Sequence, residues 1–265
     1  MRTRKSFPIA LSIAGSDSGG GAGIQADLQT FSALGVHGTT VITCLTAQNP
    51  RQVIGVQAAG SDMVRRQLEA VFAELPPRAI KTGMLYRTEI IMEVVRFLER
   101  RRQAPLVVDP VMVSTSGAPL LEPAAIEAVR HDLMPLAALV TPNVDEAVLL
   151  LERPLRAPAD LREAAREIHR RWGCAALVKG GHLRHLREAV DFFYDGRTEL
   201  LLSAPRIPGL STHGTGCTYS AAIAAGLAKG ESLITAVRRA KTFITAAIAQ
   251  SRRAAKHFVL NWREG

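Results

Sequence analysis

THGTGCTYSAAIAAGLAKG, residues 212–230, decides how this chain is read. A turn of small residues runs into an apolar, alanine-rich segment without proline, the pattern of a loop entering a buried helix. Glycines at 214 and 216 let the backbone approach a ligand closely. The helix start then offers several N–H groups and the positive end of the helix dipole to one spot. Such a spot suits an anion, either a phosphate or an alkoxide forming during attack. Cys217 falls in the first turn, where the same field favours a thiolate, so it is a candidate base or nucleophile. These residues alone leave a second reading level with the first, in which Cys217 is a small buried hydrophobe and the glycines pack the helix.

Working outward, the 265 residues suit one large α/β domain. A hydrophobic content of 47% with 22% charged residues is ordinary for a protein with a sizeable core. No apolar run approaches the ~20 residues that span a bilayer. The basic start, MRTRKSFPIALSIAGSDSGG, imitates a secretory signal, but its apolar run is short and leads into glycines, so it is expected to be a first strand. Three cysteines, at 44, 174 and 217, offer no disulfide framework, and a reducing cytoplasm is expected. The net charge of +9 suits nucleic acid or an anionic substrate. Arginines are spread over helix faces with apolar residues between them, and aromatics make up 5%, so neither nucleic acid nor membrane is expected as a partner.

Strand-like and helix-like segments alternate along the chain. Apolar or β-branched runs at 8–14, 39–46, 53–59, 78–84, 106–112, 137–143 and 175–181 predict strands, with two more between 189 and 205. Helical spacing covers 24–34, 61–74, 88–102, 122–133, a segment from Val144, 159–172, and two final helices. This order predicts a mostly parallel sheet covered on both faces, with ligands beyond the carboxyl ends of the strands. Polar residues collect at those ends: Gly15 with Asp17, Gln48 with Asn49, Lys81 to Met84, Asp109, Thr141 to Asn143, and Lys179 to Gly181.

Several familiar motifs fail. GGGAGIQAD, residues 19–27, is not G-x-G-x-x-G and lacks the Lys-Ser/Thr ending of a phosphate-binding P-loop. His182 with His185, and His213 with Cys217, do not complete a zinc ligand set. No G-x-S-x-G nucleophile elbow is present.

What remains carries a resemblance. AGSDSGGGAGIQADLQTFSALGVHG, LTAQN, KTGM, VVDPVM, TPNVDEA, VKGGH and THGTGCTYSAAIAA, in order from about residue 8 to 228, resemble the hydroxymethylpyrimidine and phosphomethylpyrimidine kinases of thiamine biosynthesis. These belong to the ribokinase-like superfamily. The resemblance implies one ribokinase-like domain over 1–265, a three-layer sandwich that uses ATP and Mg²⁺, as a homodimer. It implies that Gly214, Thr215, Gly216 and Cys217 cradle the transferred phosphoryl group, with Cys217 as the base. Lys179 would neutralise the nucleotide phosphates, with Asn143 also on the cofactor side; Asn143 and Glu146 would hold Mg²⁺ directly or through water, and Asp109 would join them as a metal residue. Gln48, Asp27, Met84, Val111 and Gly15 would line the aminopyrimidine pocket. Residue chemistry agrees with parts of this. Phosphoryl transfer needs positioning, charge stabilisation and an acceptor for one proton, and the Gln48 amide offers a donor and an acceptor to an aminopyrimidine edge. Helix capping competes as a role for Glu146, core packing for Met84 and Val111, and pairing with a backbone turn for Asp27. A pyridoxal-type kinase on the same fold, and a pyrimidine-binding protein without catalysis, are the alternatives. One departure stands out: the family's glycine-rich G-x-G-P ending is replaced here by AQSRRAAKHFVLNWREG.

Overall fold

The computed structural model describes residues 6–101, 104–113, 120–181, 183, 187–207 and 213–263. Thr212, His182 and His185 lie outside them. Among the described residues, nine strands form one sheet: β1 (Ile9–Asp17), β2 (His37–Gln48), β3 (Val53–Ala58), β4 (Ala79–Thr82), β5 (Leu106–Val108), β6 (Leu139–Val140), β7 (Ala175–Lys179), β8 (Glu188–Tyr194) and β9 (Glu199–Pro205). Their order is β3-β2-β1-β4-β5-β6-β7-β8-β9. The block from β2 to β7 is parallel, and antiparallel strands flank it on both sides.

Strand alternation divides the apolar residues between two cores. Leu11, Ile13, Val108, Val140, Ala176 and Val178 face one, closed by α2 (Ser61–Glu74), α3 (Thr88–Glu99), α4 (Pro123–Ala128), α5 (Val144–Leu151) and α6 (Pro158–Trp172). Ala10, Val107, Leu139, Ala175 and Leu177 face the other, closed by α1 (Gly23–Ala33), α7 (Thr215–Ala228) and α8 (Leu233–Ala249). Helix α7 is buried all round from Thr218 to Gly226, which its alanine-rich sequence permits.

The chain leaves β1 through α1 on one face and β4 through α3 on the other, so the connections diverge between these neighbouring strands. Such a divergence opens a crevice at the strands' carboxyl ends.

Differences from the sequence expectation have local causes. Strand β1 continues to Asp17 past an irregularity between Ala14 and Ser16, and β2 runs on to Gln48. The expected strands 106–112 and 137–143 shrink to three and two residues. Pro110 and Pro142 follow them and supply no ladder N–H. The expected helix at 122–133 is α-helical to Ala128 and continues as a π-turn and a 3-10 turn to Leu136. Beyond α8, where no further element was expected, β10 (Arg252–Ala254) and β11 (His257–Val259) form a hairpin. It brings Leu260 and Trp262 into the α7–α8 core.

Candidate active site

Two glycine-rich turns meet at the start of α7. Gly214, the residue before the helix, has φ +78°, a left-handed conformation that favours glycine. A β-carbon there would stand 1.7 Å from the carbonyl oxygen of Gly21. The Gly21 turn is shaped by Asp17, whose carboxylate accepts N–H bonds from Gly19 (2.8 Å), Gly21 (3.1 Å) and Ala22 (2.8 Å). His213 Nε2 lies 3.2 Å from the same carboxylate and ties the second turn to the first. Burial opposes the Asp17 charge, but His213 and the Gly19 and Ala22 N–H groups hold its carboxyl below the usual range. The first i→i−4 bond of α7 runs from Thr218 N to Gly214 O, so the amides before Thr218 precede the helix's own hydrogen-bond ladder.

Lys179 reaches this spot from the end of β7. A β-carbon on Gly216 would stand 3.2 Å from its Nζ. Nζ donates to Asp109 Oδ1 at 2.9 Å, and the pair is nearly buried. Burial opposes the lysine charge, yet Asp109 and Glu146 keep its pKa above the ordinary value. Asp109 also accepts from Thr141 Oγ1 (3.3 Å) and Ser220 Oγ (3.2 Å). Against burial, Lys179 and Lys81 hold the Asp109 carboxyl low.

Asn143 and Glu146 cap α5 reciprocally: Asn143 Oδ1 accepts Glu146 N and Glu146 Oε2 accepts Asn143 N. Capping was the competing role for Glu146, and it coexists with a place beside Asp109 and Lys179. Burial pushes the Glu146 carboxyl up to about 7; Lys179 pulls it down and Asp109 pushes it further up.

At the other end of the crevice, Gln48 ends β2 half-buried, its Oε1 accepting from Thr46 Oγ1 at 3.2 Å and its Nε2 3.5 Å from His213 Nε2. Gly15 is buried beside Met84 and Cys44: a β-carbon on it would meet Cys44 Sγ at 2.7 Å and Met84 Cε at 3.2 Å. Met84 and Val111 are partly exposed rather than core. Val111, just past the short β5, has φ +36°. That is a strained conformation for a β-branched residue, of the kind that gathers at functional sites.

Cys217 stands between the two ends, partly exposed. Its thiol does not behave as the helix-start argument expects. Burial pushes it up to about 11, and the negative charges of Asp109 and Asp27 add to this. Lys81 and the Gly23 N–H pull the other way without prevailing.

Asp27 is fully buried; it accepts both Lys81 Nζ–H bonds, at 2.9 and 3.0 Å, and Ser12 Oγ–H at 2.5 Å. It therefore faces Lys81, not a backbone turn.

Sequence reasoning gave no individual role to Lys81, Asp17, His213 or Ser220. Lys81 left a signal, a lone lysine inside the apolar strand RAIKTGM. His213 and Asp17 are 196 residues apart, and neither pattern announces the other. The tail contributes as well: Trp262 Nε1 donates to Thr218 Oγ1 at 3.0 Å, beside Cys217 in the chain.

A phosphomethylpyrimidine kinase from Clostridium difficile 630 matches this structure with a TM-score of 0.80 at 42% identity, over 91% of this chain and 99% of that one. A Bacillus subtilis pyridoxal kinase in complex with ADP matches with a TM-score of 0.89 at 38% identity, over 98% of both chains. The fold is that of a ribokinase-like small-molecule kinase. In sequence, a hydroxymethylpyrimidine/phosphomethylpyrimidine kinase of Rhizobium meliloti (strain 1021) is 51% identical over 265 residues, covering 97% of this chain and 99% of the relative. Residues 17–260 match the profile of the family described as Phosphomethylpyrimidine kinase. The chain belongs to that family and is a kinase.

Proposed function

We propose that the protein transfers the terminal phosphoryl group of ATP to the hydroxymethyl oxygen of 4-amino-5-hydroxymethyl-2-methylpyrimidine, and then phosphorylates the resulting monophosphate, in thiamine biosynthesis. The observation that carries this reading is the division of one crevice around the start of α7. An amide edge reader, Gln48, lies over β2, and a cation–carboxylate pair, Lys179 with Asp109, lies over β7 and β5. Gln48 reads the aminopyrimidine edge, with Gly15, Met84 and Val111 as walls. The amides of Gly214, Thr215 and Gly216 and the Lys179 ammonium hold the phosphoryl oxygens, with Asn143 on the nucleotide side. Cys217, as thiolate, accepts the hydroxyl proton while the oxygen's electron pair forms the new O–P bond. The bond from phosphorus to the bridging oxygen breaks, and its pair leaves with ADP. Burial pushes this thiol up to about 11, and the nearby Lys81 charge opposes that.

Asp109 and Glu146 are the groups that would hold Mg²⁺. They are two buried carboxylates, each raising or feeling the other's charge, and Mg²⁺ takes one or two such oxygen donors together with substrate phosphates. When bound, the ion neutralises charge on the phosphoryl oxygens.

The 265 residues are proposed as one kinase domain, supported by the single nine-stranded sheet. A cytoplasmic setting is supported by three free cysteines; among the described residues no helix is long and apolar enough to cross a membrane. A homodimer is supported by apolar side chains exposed at this end of the sheet, Ile54 of the edge strand β3 at 70% and Leu45 of its neighbour β2 at 54%.

Mass-spectrometric detection of products from the pyrimidine alcohol, its monophosphate and pyridoxal, each with ATP, tests the reading. Mono- and diphosphate are expected, with Cys217→Ala slower by about 10²–10⁴. Turnover of pyridoxal alone would overturn it, as would pyrimidine binding with no ATP consumed.

A further inference from the structure

The chain's ending, AQSRRAAKHFVLNWREG, has no part in the roles assigned so far. The β10–β11 hairpin, in which Arg252 pairs with Val259, reverses the chain and sends it back across the end of α8. Asn261 N then donates to Ala247 O, in the last turn of α8, at 3.2 Å. The next residue, Trp262, is 9% exposed, and its Nε1–H donates to Thr218 Oγ1 of α7 at 3.0 Å. Leu260 is buried in the same core. The tail therefore fastens the last turn of α8 and the start of α7 together.

The bond matters because of where Thr218 stands. Its N–H makes the first i→i−4 bond of α7, to Gly214 O, so it closes the turn that holds Gly214, Thr215, Gly216 and Cys217. That turn is weak by itself. Two of its four residues are glycines, which lower helix propensity, and Gly214 has no side chain with which to cap the helix. Ser220 fastens one side of the turn, its Oγ 3.0 Å from Gly216 O and 3.2 Å from Asp109 Oδ2. Thr218 lies two residues away, about 200° around the helix, and there the tail supplies the fastening. We propose that Trp262 is a positioning residue for phosphoryl transfer: its indole N–H holds Thr218, and through it the first turn of α7, where the Gly214–Gly216 amides and Cys217 meet the transferred group. This rests on the reading of that turn as the phosphoryl cradle.

Trp262→Phe keeps an aromatic ring and removes the N–H, and Thr218→Val keeps the side-chain shape and removes the acceptor. Both, their double variant and Thr218→Ser, which keeps an acceptor, are compared with wild type in Tm, kcat, and KM for the pyrimidine alcohol and for ATP. Trp262→Phe and Thr218→Val are each expected to lower kcat about three- to tenfold, the range one neutral hydrogen bond spans, with both KM values within about twofold. The double variant should lose no more than the worse single variant, since both remove the same bond. Thr218→Ser should stay within about twofold of wild type. If Thr218→Val does not fold, the kcat of Trp262→Phe against that of Thr218→Ser decides. A lower Tm with kcat within about twofold of wild type in Trp262→Phe makes the contact structural only and overturns the proposal, as do losses that multiply in the double variant. Gly214→Ala separates the two readings. If it is impaired while Trp262→Phe is not, the role of Trp262 falls and the cradle stands; if it keeps full activity, the cradle reading falls and this proposal with it.

Discussion

Gly214→Ala is the sharpest perturbation the fold allows at the start of α7. Two costs follow from the geometry. At φ +78° an L side chain costs about 1–2 kcal/mol. The added carbon would also stand 1.7 Å from Gly21 O, about half the distance of ordinary contact, so one of the two turns must move. Gly230→Ala separates these effects. Its φ is +84° and nothing lies within 4 Å of the added carbon, so it carries the conformational cost alone. About 1 kcal/mol lowers Tm by about 2 °C in a chain of this size. Gly230→Ala is expected to melt about 2–4 °C lower with unchanged kcat. Gly214→Ala should lose at least that much Tm. It should also lose about 10²-fold in kcat/KM, because a displacement near 1 Å costs that much in an oriented reaction. Steady-state kinetics with the pyrimidine alcohol and thermal melts of both variants give the comparison. If Gly214→Ala keeps kcat/KM within about threefold of wild type, these amides do not hold the phosphoryl group.

Gln48→Leu removes a donor and an acceptor together. At about 1 kcal/mol per hydrogen bond, KM for the pyrimidine should rise about tenfold or more while KM for ATP stays fixed; a parallel rise in both would refute an edge-reading role. Glu146 makes a stability prediction. Its folded pKa of about 7 lies above the ordinary 4.5, so between those values the folded state binds more protons than the unfolded chain. Stability then falls as pH rises through that window, by up to roughly 3 kcal/mol from this one group. Urea unfolding of wild type and Glu146→Gln should show the variant gaining on wild type from pH 5 to 7; a constant difference would refute it.

The parts of the site legible in the sequence were those that a strand end or a turn specifies by itself. Apolar runs stopping at Gln48, Asp109 and Lys179 placed them at one edge of a parallel sheet, and the glycines of GTGC marked a close approach. What stayed hidden depends on which elements pack together. Lys81 is a strand lysine until α1 returns with Asp27. His213 gains its meaning from Asp17 at the far end of the chain. The tail has little local signature, yet Trp262 docks on Thr218. For Cys217 the local pattern omits the surroundings: a helix start favours a thiolate, while burial and two carboxylates push the thiol up.

The layout also bears on how such a fold changes substrate. Gln48, Gly15 and Met84 sit on or just beyond β2, β1 and β4, whereas Asp109, Asn143 and Lys179 sit on or beyond β5, β6 and β7. On the proposed roles, acceptor and phosphate donor are bound mostly by separate halves of the parallel block, with Val111 past β5 reaching the acceptor from the phosphate side and the first turn of α7 joining the two. Substitutions over β2, β1 and β4 can then exchange one hydroxymethyl compound for another while the phosphate side is undisturbed. The 0.89 TM-score with a pyridoxal kinase at 38% identity is the relation such a division produces, a backbone held nearly constant over acceptors of different outline.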